Sequence, residues 1–491
     1  MYIISIDQST QGTKALLFDE KGSLLSRTDL AHRQIVNSAG WVEHDPIEIY
    51  ENTVQAVRNL LQKSQVPASQ IAGIGISNQR ETAMAWDRKT GKPVYNAIVW
   101  QCARGAAICE GIRAKEYEDL VKERTGLNLS PYFSAAKLSW LVQNVELAKE
   151  KQEQKALCFG TIDSWLIFRM TGGREFKTDY SNASRTQLFN IYSLSWDEDI
   201  CRLFGIDPAC LAQVCDSDAL FGMTDLDGCF DRPVPIHGVM GDSHGALFGQ
   251  GCLKKGMIKA TYGTGSSVMM NVGEAPAASR CGAVSSLAWK IGGRVQYVLE
   301  GNINYTGAVI SWLKDQVGLI ASANETEALA RQANPNDHTY LVPAFTGLGA
   351  PYWNSRAEAM ICGMTRTTGK AELVKAALDC IAYQIADMAM AMEVDCGFPI
   401  EELRVDGGPT NNRYLMQFQS DIGGCTVAVP ESEELSGIGA AYAAGLALGI
   451  YREKELFGRM KRVTFTPSMN AEEREKKRLG WKAAVSRVML E

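Results

Sequence analysis

Two short hairpin-like units, half a chain apart, constrain the fold of this 491-residue chain more than any other feature. In the first, an apolar run from Tyr2 to Ile6 passes through Asp7-Gln8-Ser9-Thr10-Gln11-Gly12-Thr13 into a second apolar run, Ala15 to Phe18, which Asp19-Glu20-Lys21-Gly22 closes. In the second, Gly256 to Ala260 leads through Thr261-Tyr262-Gly263-Thr264-Gly265-Ser266-Ser267 into Val268-Met269-Met270. Short apolar runs bounded by turn residues predict β-hairpins. A repeat of this length is too long for a solenoid and predicts two duplicated domains.

Between the hairpins, predicted strands at Ile71 to Ile76 and Ala97 to Trp100 alternate with helical patterns at Pro46 to Leu61 and Ala135 to Val145. The second half repeats the alternation, with helices around Gly307 to Val317, Ala371 to Met392 and Gly437 to Leu448, and a strand at Glu402 to Val405. Such alternation predicts α/β layers. No Pro-rich or Ser-rich linker marks the boundary, so the repeat alone places it near Gln250, dividing 1–249 from 250–491.

Five segments carry candidate chemistry. The two hairpin turns are rich in Thr, Ser and Gly, whose hydroxyls and closely approaching backbone N–H groups suit phosphate oxygens. Asp7, at the base of the first, is placed to hold Mg²⁺ through water; either turn alone is equally an ordinary hairpin connection. Val405-Asp406-Gly407-Gly408-Pro409-Thr410-Asn411-Asn412 sits between a strand and a helix beginning near Arg413, an arrangement whose helix N-terminus favours anions. Asn78-Gln79-Arg80-Glu81-Thr82 combines donors and acceptors suited to several hydroxyls, or else forms a solvated surface turn. Gly241-Asp242-Ser243-His244-Gly245 offers one carboxylate next to the proposed boundary, as a general base or as a helix N-cap. His244 reads as a packing residue rather than a metal ligand.

Other classes are disfavoured. A net charge of −6 argues against a main role on nucleic-acid backbones or anionic membranes. The mixed charges of Glu472 to Arg478 read as a solvated helix face. The 13 cysteines form no Cys-x-x-Cys pair and read as reduced core residues. With neither a signal-like N-terminus nor a long apolar run, no membrane insertion is expected, and a reducing cytoplasm is. Walker and protein-kinase signatures are absent.

Together these segments closely resemble the FGGY carbohydrate kinase family over essentially the whole chain. The resemblance is carried by Gly40-Trp41-Val42-Glu43-His44-Asp45-Pro46, Asn78 to Thr82, Asn96 to Cys102, Pro131-Tyr132-Phe133-Ser134, Thr178 to Thr186, Pro343 to Trp353 and Arg404 to Gly408. It implies two actin-like, ribonuclease H-like ATPase domains with an interdomain catalytic cleft. It further implies ATP-dependent phosphorylation of a terminal hydroxyl of glycerol or a related small polyol, with a longer polyol or ketose as the alternative, and a homodimer or homotetramer. By residue it implies Asp242 as general base, Asp7 and Asp242 on the Mg²⁺ side, and Arg80, Glu81, Trp100, Tyr132, Asp242 and Ser243 around the polyol. Thr10, Gln11, Lys14, Thr264, Gly307, Ser311, Gly408 and Asn412 are the implied ATP contacts.

Several positions depart from the pattern of glycerol-phosphorylating members. Lys14 replaces an Arg, Ser243-His244 replaces Gln-Gln, Ser267 replaces a Phe, and the loop after Gly408 is one residue short. Serines in place of an amide and an aromatic predict a larger, more polar acceptor pocket. The readings from other classes are a non-catalytic nucleotide and polyol sensor, which has no use for a base at Asp242, and a filament protein.

Overall fold

The computed structural model describes residues 1–489. Two sheets organise the chain. The first has β1 (Tyr2–Gln8), β2 (Gly12–Phe18), β3 (Leu24–Ala31), β4 (Ile71–Asn78), β5 (Gly222–Thr224) and β6 (Val234–Gly241), in spatial order β5-β6-β4-β1-β2-β3. After helix α1 (Asp242–Gly249), the second has β7 (Ile258–Tyr262), β8 (Ser266–Gly273), β9 (Val284–Ile291), β10 (Arg294–Ile303), β11 (Glu402–Asp406), β12 (Thr426–Pro430) and β13 (Arg462–Phe465). Its order is β9-β10-β8-β7-β11-β12-β13.

The run β3-β2-β1-β4-β6 and the run β10-β8-β7-β11-β12 share one pattern: two antiparallel pairings followed by two parallel ones. The expected α/β duplication is thus present over five strands of each sheet. Both sequence-predicted hairpins form, β1 with β2 and β7 with β8. The expected strand over Ala97 to Trp100 is shorter, Ala97–Ile98.

Strand β1 is buried from Ile3 through Gln8 because both faces of the first sheet are covered. Helix Pro46–Ser64, started by Asp45 accepting from the Ile47 N–H at 2.8 Å, packs against β2 and β3. Helix α2 (Leu435–Ala447), which belongs to the second half of the sequence, packs against β1, β4, β6 and α1. One apolar cluster accordingly draws Leu16 and Phe18 together with Met269, Ile438 and Tyr442. The two halves share a core, which the sequence repeat did not reveal.

Within helix Ala471–Val488 the reading of Glu472 to Arg478 as a solvated face holds for Glu472, Glu473, Glu475 and Lys476. Arg474 and Arg478 instead donate to the Asp421 and Ile422 carbonyls at 2.6 Å, closing the C-terminal end of helix Arg413–Gly423. Among the described residues no helix is long and apolar enough to cross a membrane.

The shared core depends on how closely α2 approaches α1. A Cβ on Gly439 would lie 1.9 Å from the Gly245 carbonyl oxygen. Gly439→Ala gains about 1 kcal/mol of helix propensity, but the clash is with backbone and costs about 1–3 kcal/mol. The variant is expected to unfold at lower denaturant concentration than the parent, as read by chemical denaturation.

Candidate active site

Parallel strand register assembles the site. Gln8 of β1 lies beside Asn78 of β4, and Asn78 lies beside Gly241 of β6, so the segments leaving these strands emerge together at the carboxyl edge of the sheet. Ligands in α/β sheets bind at that edge. Here it delivers Arg80 and Glu81 next to Asp242. Asp242 is the first residue of α1, with Gly241 at the cap, so it is not the helix N-cap; its Oδ1 accepts from the Ser243 N–H at 2.6 Å. Its side chain is about one-third exposed, in contrast to the charges around it.

The segment Gln79 to Thr82 is buried, so the solvated-turn alternative is excluded. Glu81 adopts φ +61°, a backbone conformation that non-glycine residues keep at a cost and that is concentrated at functional sites. Arg80 donates from both terminal nitrogens to Glu300 at 2.8 Å. Arg185 lies 2.6 Å from Glu81 through Nε and 3.0 Å from Glu300 through Nη1. Two guanidinium groups and two carboxylates therefore close a ring that joins strand β10 to the first half of the chain. Burial alone would raise the Glu300 carboxyl, but Arg185 and Arg80 hold it well below the usual carboxylate range. Arg80 Nε has no hydrogen-bond partner, although it lies 3.3 Å from Asp242 Oδ1. It is a buried donor without a partner, beside the Asp242 carboxylate.

The aromatic side is formed by Trp100 and Tyr132, whose rings meet edge to face at 5.5 Å. Trp100 Nε1 donates to the Thr10 hydroxyl at 2.9 Å, tying this pair to the first hairpin turn. The loop carrying Tyr132 is anchored by Lys137, a wholly buried lysine whose Nζ donates to the Pro131 carbonyl at 2.7 Å, the Phe133 carbonyl at 3.1 Å and the Tyr132 carbonyl between them. Burial brings the Lys137 amine down to about 7. Ser243 is half-buried beside Asp242, and Ser267 donates to Glu300 Oε1 at 3.2 Å. His244 is fully buried; Nδ1 lies 3.5 Å from Arg80 and Nε2 3.4 Å from the Ser286 hydroxyl. Burial and Arg80 keep it neutral.

Asp7 lies at the end of β1. Burial pushes its carboxyl up to about 6, opposed by Lys14 and reinforced by Asp242, and Oδ1 has no hydrogen-bond partner. A buried carboxylate oxygen without a partner, with a second carboxylate in electrostatic reach, suits a hard divalent cation that draws its other ligands from water and phosphate. No group of three or more His, Cys, Asp or Glu suited to a metal occurs among the described residues. Lys14 is taken up elsewhere: its Nζ bonds Glu434 Oε2 at 2.7 Å, and Arg27 pairs with the same carboxylate.

A second concavity, of about 600 Å³, lies in the second half and is lined by Gly307, Ser311, Thr326, Gly408 and Asn412. The turn Gly263-Thr264-Gly265 abuts it, with the Gly307 N–H donating to the Gly263 carbonyl at 2.9 Å and the Ala308 N–H to the Thr264 carbonyl at 3.0 Å. Asn412 caps helix Arg413–Gly423, accepting from the Leu415 N–H at 3.0 Å, and donates to the Thr326 hydroxyl at 3.1 Å. Gly407 is required here: its φ is +97°, and a Cβ would lie 2.0 Å from the Tyr262 carbonyl oxygen.

The structure thus gathers Arg80, Glu81, Trp100, Tyr132, Asp242 and Ser243 in one cleft, with Asp7, Thr10 and Gln11 on its first-hairpin side. Gly307, Ser311, Gly408 and Asn412 line the second concavity, and the turn carrying Thr264 is bonded to Gly307 at its edge. Lys14 lies beside Asp7 in the β1–β2 register, with its amine bonded to Glu434. Sequence reasoning missed Glu300, Arg185 and Lys137. For Glu300 a signal existed, a carboxylate within the apolar run Val298-Leu299-Glu300.

Residues 2–249 match the N-terminal domain, and residues 258–448 the C-terminal domain, of the FGGY family of carbohydrate kinases. Glycerol kinase 2 of Thermotoga maritima is 47% identical over 488 residues, 99% of this chain and 98% of its own length. Glycerol kinase 1 of the same organism is 48% identical over 494 residues, the whole of both chains. The crystal structure of Plasmodium falciparum glycerol kinase with ADP superposes with a TM-score of 0.95 at 36% identity, covering 100% of this chain and 98% of that one.

The charge ring makes a sharp stability prediction. Arg185→Met leaves Glu81 and Glu300 short of a cation with their burial unchanged, which costs about 3–5 kcal/mol. Arg202→Met, at an exposed pair with Asp199, is expected to change little. Parallel denaturation of the two variants checks the contrast.

Proposed function

The chain belongs to the FGGY family of carbohydrate kinases, and on that premise we propose that it transfers the γ-phosphoryl group of ATP to a terminal hydroxyl of glycerol or a related small polyol. The observation that carries this reading is the convergence of Arg80, Glu81, Asp242 and the Trp100–Tyr132 pair in one cleft whose first-hairpin wall is Thr10. The full-length identity to proteins named glycerol kinases supports the choice of acceptor.

Arg80 Nε and the Glu81 carboxylate hold acceptor hydroxyls, and the aromatic pair covers the carbon chain. Asp242, more exposed than its charged neighbours, accepts the proton of the attacking hydroxyl. That oxygen bonds to the γ-phosphorus as the bond from phosphorus to the β,γ-bridging oxygen breaks, and ADP leaves with those electrons. Thr10 and Gln11 on one side and Thr264 on the other face the phosphates, while Gly307, Ser311, Gly408 and Asn412 enclose the rest of the nucleotide. Asp7, with Asp242 beside it, would hold Mg²⁺, which would supply neutralisation of phosphate oxygens. Alignment and charge neutralisation are most of what such a transfer needs. In this arrangement 1–249 holds the acceptor and supplies the first phosphate hairpin, 250–491 holds the nucleotide, and Lys14 stands beside Asp7 with its amine on Glu434. Thirteen free cysteines support a reducing cytoplasm.

Asp242→Asn keeps the shape of the site and removes the base. Glycerol-dependent ADP release is expected to fall by about 10² to 10⁴-fold, with nucleotide binding retained in calorimetry. Unchanged turnover in this variant would falsify the mechanism and return the site to a binding role.

A further inference from the structure

Beyond Tyr132 the cleft opens into a second chamber. It is a cavity of about 610 Å³ between the two halves, reaching from Tyr132 and Glu300 to Trp353 at the surface. Its size falls in the range of pockets that enclose molecules larger than a triol. Tyr132 and Glu300 stand at the acceptor site already described, so the chamber begins where the three-carbon site ends.

The lining indicates what would enter it. Glu300 and Asn302 lie two apart on β10 and so share one face of the strand, and Asn304 follows just after the strand end. Both asparagines line the chamber, and neither side chain bonds to another protein group among the described residues. An amide both donates and accepts, which matches hydroxyl groups. Trp353 is 56% exposed, with Nε1 fixed on the Gly282 carbonyl at 3.2 Å, so its ring is held at the mouth. The rim charges do not favour an anion. Arg113 is held by Glu118 at 2.8 Å, Asp119 offsets Lys122, and Glu300 at the inner end is already bonded to Arg80 and Arg185. Beside Glu300 the side chain is the small Ser267, which donates to it at 3.2 Å.

We infer that this chamber is a second compartment of the acceptor pocket, taking the trailing carbons of a polyhydroxylated chain of four or five carbons, with Asn302 and Asn304 binding its hydroxyls. The inference rests on the kinase reading above and adds the residues that set acceptor length.

The test compares the parent with N302A/N304A on glycerol, erythritol and xylitol under ATP and Mg²⁺, and measures xylitol binding by calorimetry without nucleotide. The expected result is a fall of tenfold or more in the ratio of kcat/KM for erythritol or xylitol to that for glycerol, with xylitol binding weakened by a similar factor. General damage to the fold lowers all acceptors together and leaves the ratio unmoved. An unmoved ratio, equal xylitol affinity in both proteins, or a parent that neither binds nor phosphorylates anything longer than glycerol overturns the inference. A parent that binds xylitol through these asparagines yet phosphorylates no acceptor, glycerol included, upholds the second compartment and overturns the kinase reading instead.

Discussion

The ring of Arg80, Glu81, Arg185 and Glu300 is the constraint on which the rest of the site depends. Four charges have been taken out of water, and each carboxylate is held by two guanidinium groups. Such networks add little to stability compared with well-packed apolar residues, but losing one member leaves a buried charge uncompensated. Their effect is therefore on geometry. Glu300 belongs to the second sheet and the other three to the first half, so the ring fixes the position of β10 relative to the segments that leave β4. Arg80 is thereby aimed with Nε toward Asp242 and its terminal nitrogens toward Glu300.

The backbone does comparable work at less cost. Because β1, β4 and β6 are parallel neighbours ending in register, one sheet edge presents Asp7, Arg80, Glu81 and Asp242. The duplicated order of the second sheet presents the Gly263-Thr264-Gly265 turn and the Gly407-Gly408 loop at the equivalent edge. Helix α2 crosses from the second half to the first and packs through Gly439 onto Gly245. In the proposed function a cleft between two such edges would receive acceptor on one side and nucleotide on the other, above a core shared by both halves.

Much of this was legible in the sequence, for definable reasons. Both hairpins are contiguous apolar runs around turn residues, and both form where local pattern places them. Asp242, Arg80 and Tyr132 lie in compact motifs, so their meeting in one cleft followed from resemblance over the whole chain. The ring's other half did not. Glu300 is 220 residues from Arg80, and only the β10 register brings them together. Lys14 shows the converse: its motif position suggested phosphate, but Glu434, 420 residues away, claims its amine. Long-range partners of charged side chains are what local pattern cannot give. The same holds for Asn302 and Asn304, whose place in the chamber depends on the facing wall at Tyr132 and Trp353.

The central claim is that the cleft directs a phosphoryl group to a carbon-bound hydroxyl and not to water. The most direct measurement is phosphorus NMR of the purified chain incubated with glycerol, ATP and Mg²⁺. The account predicts a phosphomonoester resonance growing in step with ADP, with little inorganic phosphate. ATP converted to ADP and inorganic phosphate, with no phosphomonoester, would contradict it.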